Sequence, residues 1–283
     1  MTARTRFLLP LLCVVLAAAP AVAATEAPPA TVEKLQRAID SPQRTPEDRA
    51  RDAHRHPRET LLFFGIEPDM RVLELWPGAA WYTEILAEFL APDGKLAVTN
   101  FDPEGPADKP MTRYAKQLAE KLASDPARFG AVEVVEIDPP AKLVLGAADS
   151  YDLVLTFRNN HSWINGGYHD AVYAEAFRVL KPGGVLGVVQ HRAKEGADPL
   201  ASAKTGYVPE AFVIEAAERA GFDLAGRSEV NANPKDTKDH PEGVWTLPPS
   251  YRLGDEDRAK YEAIGESDRM TLRFVKPGAK PAP

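Results

Sequence analysis

From Arg71 to Phe222 the chain alternates two kinds of segment. Short apolar runs at Arg71–Leu75, Leu96–Asn100, Val132–Ile137, Leu153–Phe157 and Val185–Gln190 read as buried strands. Between them lie stretches whose apolar residues return at helical spacing. Ala80–Leu90 is the clearest, with Ile85, Leu86, Phe89 and Leu90 on one face. Met111–Ala123, Tyr168–Leu180 and Pro209–Ala220 follow the same rule, and Phe222 opens a further strand. This alternation leaves few folds open. Neighbouring parallel strands need a crossover, usually a helix, so the pattern implies βαβ units and a mostly parallel sheet.

The flanks are less regular. Thr31–Asp40 is read as a short helix with Val32, Leu35 and Ile39 on one side. Thr45-Pro46-Glu47-Asp48 is a helix start, with a capping hydroxyl, a proline in the first turn and then acids. That helix is expected to reach Phe64 with a break near Pro57. Residues 231–268 are polar, rich in Pro and Asp, and read as an irregular insertion containing "PEGVWTLPPSYR". "RMTLRFV" at 269–275 alternates again and is read as a last strand returning to the sheet. The organisation is therefore a leader over 1–23, a linker and helical extension over 24–64, a main domain over 65–277, and a flexible tail over 278–283.

The leader reading rests on three features. Arg4 and Arg6 form a basic start, Phe7–Ala19 is apolar but short for a bilayer span, and Ala21-Val22-Ala23 suits a signal peptidase. The expectation is a cleaved signal peptide, a periplasmic or secreted protein, and no stable membrane insertion afterwards. Cys13, the only cysteine, lies in that leader and follows Leu12, which does not suit a lipobox. The exported chain would then have no disulfide, thiolate nucleophile or cysteine-ligated zinc. About 260 residues remain, enough for one large α/β domain. The formal charge of −7 becomes −9 without Arg4 and Arg6, a poor balance for binding nucleic acid.

The first strand runs into "LELWPGAAWYTE" at 73–84. An apolar run, an acid at Glu74 and a glycine at Gly78 open like a nucleotide-binding turn. Trp76 stands where the first glycine of such a turn would fall, and Ala80 where the last would fall. Glycine there allows close ligand approach or a positive φ. Trp76 brings a ring that either walls a pocket or blocks it. Pro77 fixes its own φ and is expected to hold Trp76 extended.

The order "RVLELWPGAAWYTEILAEFLAPDGKLAVTNFDP", "SYDLVLTFRNNHSW", "EAFRVLKPGGVLGVVQHR" and "ERAGF" resembles the class I S-adenosylmethionine-dependent methyltransferases. Within that superfamily it is similar to predicted secreted members with a Trp-Pro-Gly first motif. The resemblance covers about residues 60–230. It implies a Rossmann-like, doubly wound seven-stranded sheet with an antiparallel last strand, and S-adenosyl-L-methionine bound beyond the strands' carboxyl ends. Glu74 and Gly78 match the first motif. Trp76, Ala80 and Tyr82 complete the cofactor set, and Asn100 or Asp102 would hold the ribose. Asn159, Asn160 and His161 would face the methyl-transfer site.

Other readings stay open. Asp102 sits in "FDPEG", where it equally well makes a turn. His191 is either a general base or the cap of a strand end. Arg158 anchors an anionic substrate or pairs at the surface. Trp163 stacks on a substrate or fills a self-capping loop, and Trp245 closes the pocket or pins the insertion. His54 and His56 lie near Asp52, but no third ligand is near in sequence, so no metal site is expected. The implied activity is methyl transfer to a small-molecule acceptor. The alternatives are a non-catalytic ligand-binding protein on the same fold and, least supported, a hydrolase or lyase.

Overall fold

The computed structural model describes residues 27–278. The expected leader and the tail beyond Gly278 lie outside the described residues. No helix among the described residues is long and apolar enough to cross a membrane.

Seven strands form one sheet: β1 (Arg71–Leu75), β2 (Lys95–Asn100), β3 (Glu133–Glu136), β4 (Tyr151–Phe157), β5 (Leu180–His191), β6 (Asp223–Ser228) and β7 (Arg269–Val275). Their order is β3-β2-β1-β4-β5-β7-β6. β1 to β5 pair in parallel, and β7 runs antiparallel to both β5 and β6. β1 is central, with β2 on one side and β4 on the other. The chain's path reverses there, which opens a crevice beyond the carboxyl ends of β1 and β4.

Side-chain alternation on β1 divides the core. Leu73 and Leu75 face one layer with Trp163, Val172 and Tyr173, while Val72 faces the other with Ile85, Leu86 and Phe89. Glu74 shares the face of Val72 and points at the helix Trp81–Leu90. Nine of that helix's ten residues are buried. Its sequence shows one apolar face, yet it is covered more widely because helix Pro29–Ile39 lays Leu35 and Ile39 into the same layer. Helix Pro57–Phe64 adds Leu61 and Phe64. The helical extension is thus packed on the sheet.

Some local readings need correcting. The segment 45–64 breaks twice, at Arg51 and at His56, where φ is 41°. The Thr45 hydroxyl caps its first turn by accepting from Asp48 N at 3.1 Å. Asn160–Gly166, read as a loop, is a short helix. The insertion contains a 3-10 turn over Gly243–Thr246 and a helix over Arg258–Ile264. Its irregular start is organised by buried Asp236, which accepts from Tyr207 Oη at 3.0 Å and from Asp268 N at 2.8 Å. Polar groups that satisfy each other locally carry no periodic pattern, so such a segment is invisible to a search for apolar spacing.

Candidate active site at the switch point

The turn after β1 keeps the backbone of a glycine loop with only one glycine in place. Trp76, Gly78 and Ala80 have φ of 46°, 59° and 63°. The expected extended conformation of Trp76 is therefore wrong: the loop overrides the preference set by Pro77. A non-glycine residue in the left-handed region costs about 1–2 kcal/mol, and such strain concentrates at functional sites. Several bonds hold the turn. Trp76 N donates to Thr99 Oγ1 at 2.7 Å, and Asn159 Nδ2 donates to Leu75 O at 2.9 Å and Trp76 O at 3.3 Å. Thus β2, β1 and β4 are clasped at their carboxyl ends.

Two cavities meet at this turn. The first, about 460 Å³, extends over the ends of β4 and β5 towards the insertion. The second, about 320 Å³, lies over the end of β2 and against helix Pro110–Ser124. Both are lined by Trp76, Pro77, Gly78, Tyr114 and Asn159. A Cβ built on Gly78 would meet no atom within 4 Å, so its backbone faces open cradle space. The Trp76 ring is held by Trp163 at 5.2 Å and lies nearly parallel to Tyr168 at 6.4 Å. It forms a wall between the cavities.

The sequence candidates divide by position. Glu74 and Tyr82 line the first cavity, as do His161, His191 and Trp245. Asn100 lines the second. Ala80 lines neither; it is buried beneath the turn. Asp102 lines neither and accepts from Glu104 N at 2.8 Å, the turn chemistry of an exposed Asp. Asn160 is buried, and its Oδ1 meets Tyr173 Oη at 2.7 Å and His169 Nε2 at 2.8 Å. Trp163 is a core residue behind Trp76. Arg192 bonds Asp268 and Glu229 away from the cavities. Among the described residues no group of three or more His, Cys, Asp or Glu side chains is placed to hold a metal.

The electrostatics of the first cavity are unusual. Burial pushes the Glu74 carboxyl up to about 7, against the pull of the Thr83 hydrogen bond and of Arg158. His161 is lowered to about 4 by burial and then by the charge of Arg158. His191 is held well below its ordinary value by burial, by His161 and by Arg158. The two rings lie 5.9 Å apart and are neutral imidazoles at neutral pH. His191 Nδ1 is 2.5 Å from Ser267 Oγ. Sequence reasoning missed Arg51, Arg55 and Glu266, which line the same cavity. Their partners lie some two hundred positions apart, and the i, i+4 spacing of the two arginines was the only local signal.

No family model matches the sequence, and no curated protein matches it. Solved structures match by shape. The chain is similar to a SAM-dependent methyltransferase from Aquifex aeolicus, at 17% identity and a TM-score of 0.51, over 87% of this chain and 98% of that one. The chain has the class I methyltransferase fold. The glycopeptide N-methyltransferase MtfA, complexed with S-adenosyl-L-homocysteine, shares this fold at 15% identity and a TM-score of 0.51, over 80% and 90% of the two chains. So does the [4+2]-cyclase SpnF, at 16% identity and a TM-score of 0.53, over 88% and 93%. A methyltransferase fold thus includes a cyclase, and function has to be argued from the site.

Proposed function

We propose that the chain is an S-adenosylmethionine-dependent methyltransferase acting on a small-molecule acceptor, and that residues 1–23 direct it to the periplasm. The observation that carries the reading is the Trp76–Ala80 turn. Its left-handed positions are kept at the switch point of a methyltransferase fold although two of the three are not glycine. Strain of that kind persists where a ligand needs the backbone shape.

The residues fit the cofactor. Gly78 leaves room for close approach, Glu74 offers a buried carboxylate for an ammonium group, and Asn100 and Trp76 border the cavity suited to the adenosine half. When bound, the cofactor supplies an activated methyl group on a sulfonium. The protein's own work is then positioning, exclusion of water and acceptance of a proton. Asn159 fixes the floor beneath the reacting groups by tying the β4 end to the β1 turn. His161 and His191 are neutral and accept a proton without first losing one. Trp245 stands 5.7 Å from His161 and covers the cavity from the insertion side.

Calorimetric titration of the chain lacking residues 1–23 with S-adenosylhomocysteine tests the reading. Saturable binding that Gly78→Val removes from a folded protein is expected. No binding to the folded parent overturns it, and binding without methylation of any small-molecule extract fraction favours a non-catalytic binder.

A further inference from the structure

One wall of the first cavity carries more positive charge than its carboxylates neutralise. Arg51 Nε donates to Glu266 Oε1 at 2.8 Å, Arg55 Nε to Oε2 at 3.4 Å, and Arg269 Nη1 to Oε2 at 3.0 Å. Three guanidinium groups share one carboxylate. Together with Arg158 they hold it well below the usual carboxylate range, although burial alone would raise it.

Arg158 is the fourth guanidinium. It stands at the end of β4 with φ of 67°, lines the cavity, and has no ion-pair or side-chain hydrogen-bond partner among the described residues. Burial lowers it to about 10, so it remains charged. Arg51 Nη2 and Arg55 Nη1 are buried and have no hydrogen-bond partner among the described residues. Unpaired buried donors on charged groups are costly. A chain of net charge −7 has carboxylates in excess, yet among the described residues the only one that pairs with these arginines is Glu266. A planar guanidinium suits an oxyanion, donating two nitrogens to two oxygens.

We propose that this wall is a subsite for an oxyanion, a carboxylate or phosphate, carried by the methyl acceptor, with Arg158 as its main contact and Arg55 Nη1 and Arg51 Nη2 as supporting donors. Calling the ligand an acceptor rests on the methyl-transfer reading; the anion subsite does not. His161 lies three residues beyond Arg158 and His191 beside it, so an acid anchored here is held against both imidazoles. The groups facing His161 are Arg158 just beyond β4, Gln190 and His191 from β5, and Trp245 from the insertion. Of these only Arg158 carries a fixed charge. An anion bound to it offsets the positive field on His161 and makes that imidazole a better base once the acceptor is in place.

The test uses inorganic phosphate at constant ionic strength, titrated into protein saturated with S-adenosylhomocysteine. Phosphate should bind to this complex. Arg158→Gln should weaken it about tenfold or more, the scale of losing a charged hydrogen bond. Arg158→Lys should fall between, S-adenosylhomocysteine affinity should stay within about twofold, and phosphate should raise the His161 titration midpoint by NMR. Displacement of S-adenosylhomocysteine by phosphate would overturn the proposal, because the arginines would then serve the cofactor's own carboxylate. So would absence of phosphate binding to folded parent protein. If S-adenosylhomocysteine itself fails to bind, phosphate is titrated alone. Binding lost in a folded Arg158→Gln then upholds the subsite while the methyl-transfer reading falls.

Discussion

The Thr83 hydroxyl donates to Glu74 Oε2 at 2.6 Å in the buried space between β1 and the helix that follows it. One neutral hydrogen bond does not compensate the desolvation of a carboxylate, so Glu74 stays near half-protonated at neutral pH. Its protonation state is available to whatever enters the cavity, and a cation would draw out the proton.

Stability should record this. The folded state of Glu74 binds its proton more tightly than the unfolded state, so its contribution is present below about 4.5 and lost as pH rises towards about 7. The loss is on the order of 3 kcal/mol. Denaturant unfolding at pH 5 and pH 8 should show the parent losing that much more than Glu74→Gln. Parallel behaviour of the two proteins would mean that Glu74 is solvated.

The histidines titrate with the opposite sign. His161 is depressed to about 4, so its contribution is complete above the ordinary histidine range and is lost as pH falls from about 6.5 to about 4. By NMR the His161 ring, assigned through His161→Gln, should titrate near 4 in the protein without ligands. A midpoint above 6 would place the ring in water.

Arg158 is buried, has no ion-pair or side-chain hydrogen-bond partner among the described residues, and repels Arg55. Arg158→Gln should therefore raise stability by about 1 kcal/mol, seen as a rise of roughly 2–4 °C in Tm. A loss of stability would show that the charge is structurally paired, and the anion subsite would lose its main support.

Trp76 offers an ordering of variants. Truncation to Ala or Gly removes the ring contacts with Phe101, Trp163 and Tyr168, and destabilises by about 3 kcal/mol. Gly relieves the left-handed strain and Ala does not, so Trp76→Gly should be more stable than Trp76→Ala by about 1 kcal/mol. Both should weaken S-adenosylhomocysteine by about 1–3 kcal/mol if the ring lines the cofactor. Tighter binding in Trp76→Gly would make the ring a plug.

The sheet was legible because burial of strands and helices imposes two distinct spacings, and Arg71–Leu75 or Trp81–Leu90 display them plainly. The site was legible where it touches those elements: Glu74 is a charge inside an apolar run, and Gly78 ends it. What escaped has physical reasons. Asn160–Gly166 is too short and polar to show a period. Trp76 breaks the pre-proline preference because Thr99 and Asn159 bind its backbone, and neither is near it in sequence. Asn100 and Asp102 looked equivalent, yet only Asn100 reaches a cavity.

Arg51 and Glu266, bonded to each other in one wall of the first cavity, are separated by 215 positions. The wall they build joins a segment made before β1 to one made after β6. A nascent chain can complete β1 to β5 and its clasped turn while this wall is still missing. The first cavity is thus finished only after β1 to β6 have been made, and a polypeptide stopped before residue 266 lacks both β7 and the carboxylate that holds Arg51 and Arg55 in place.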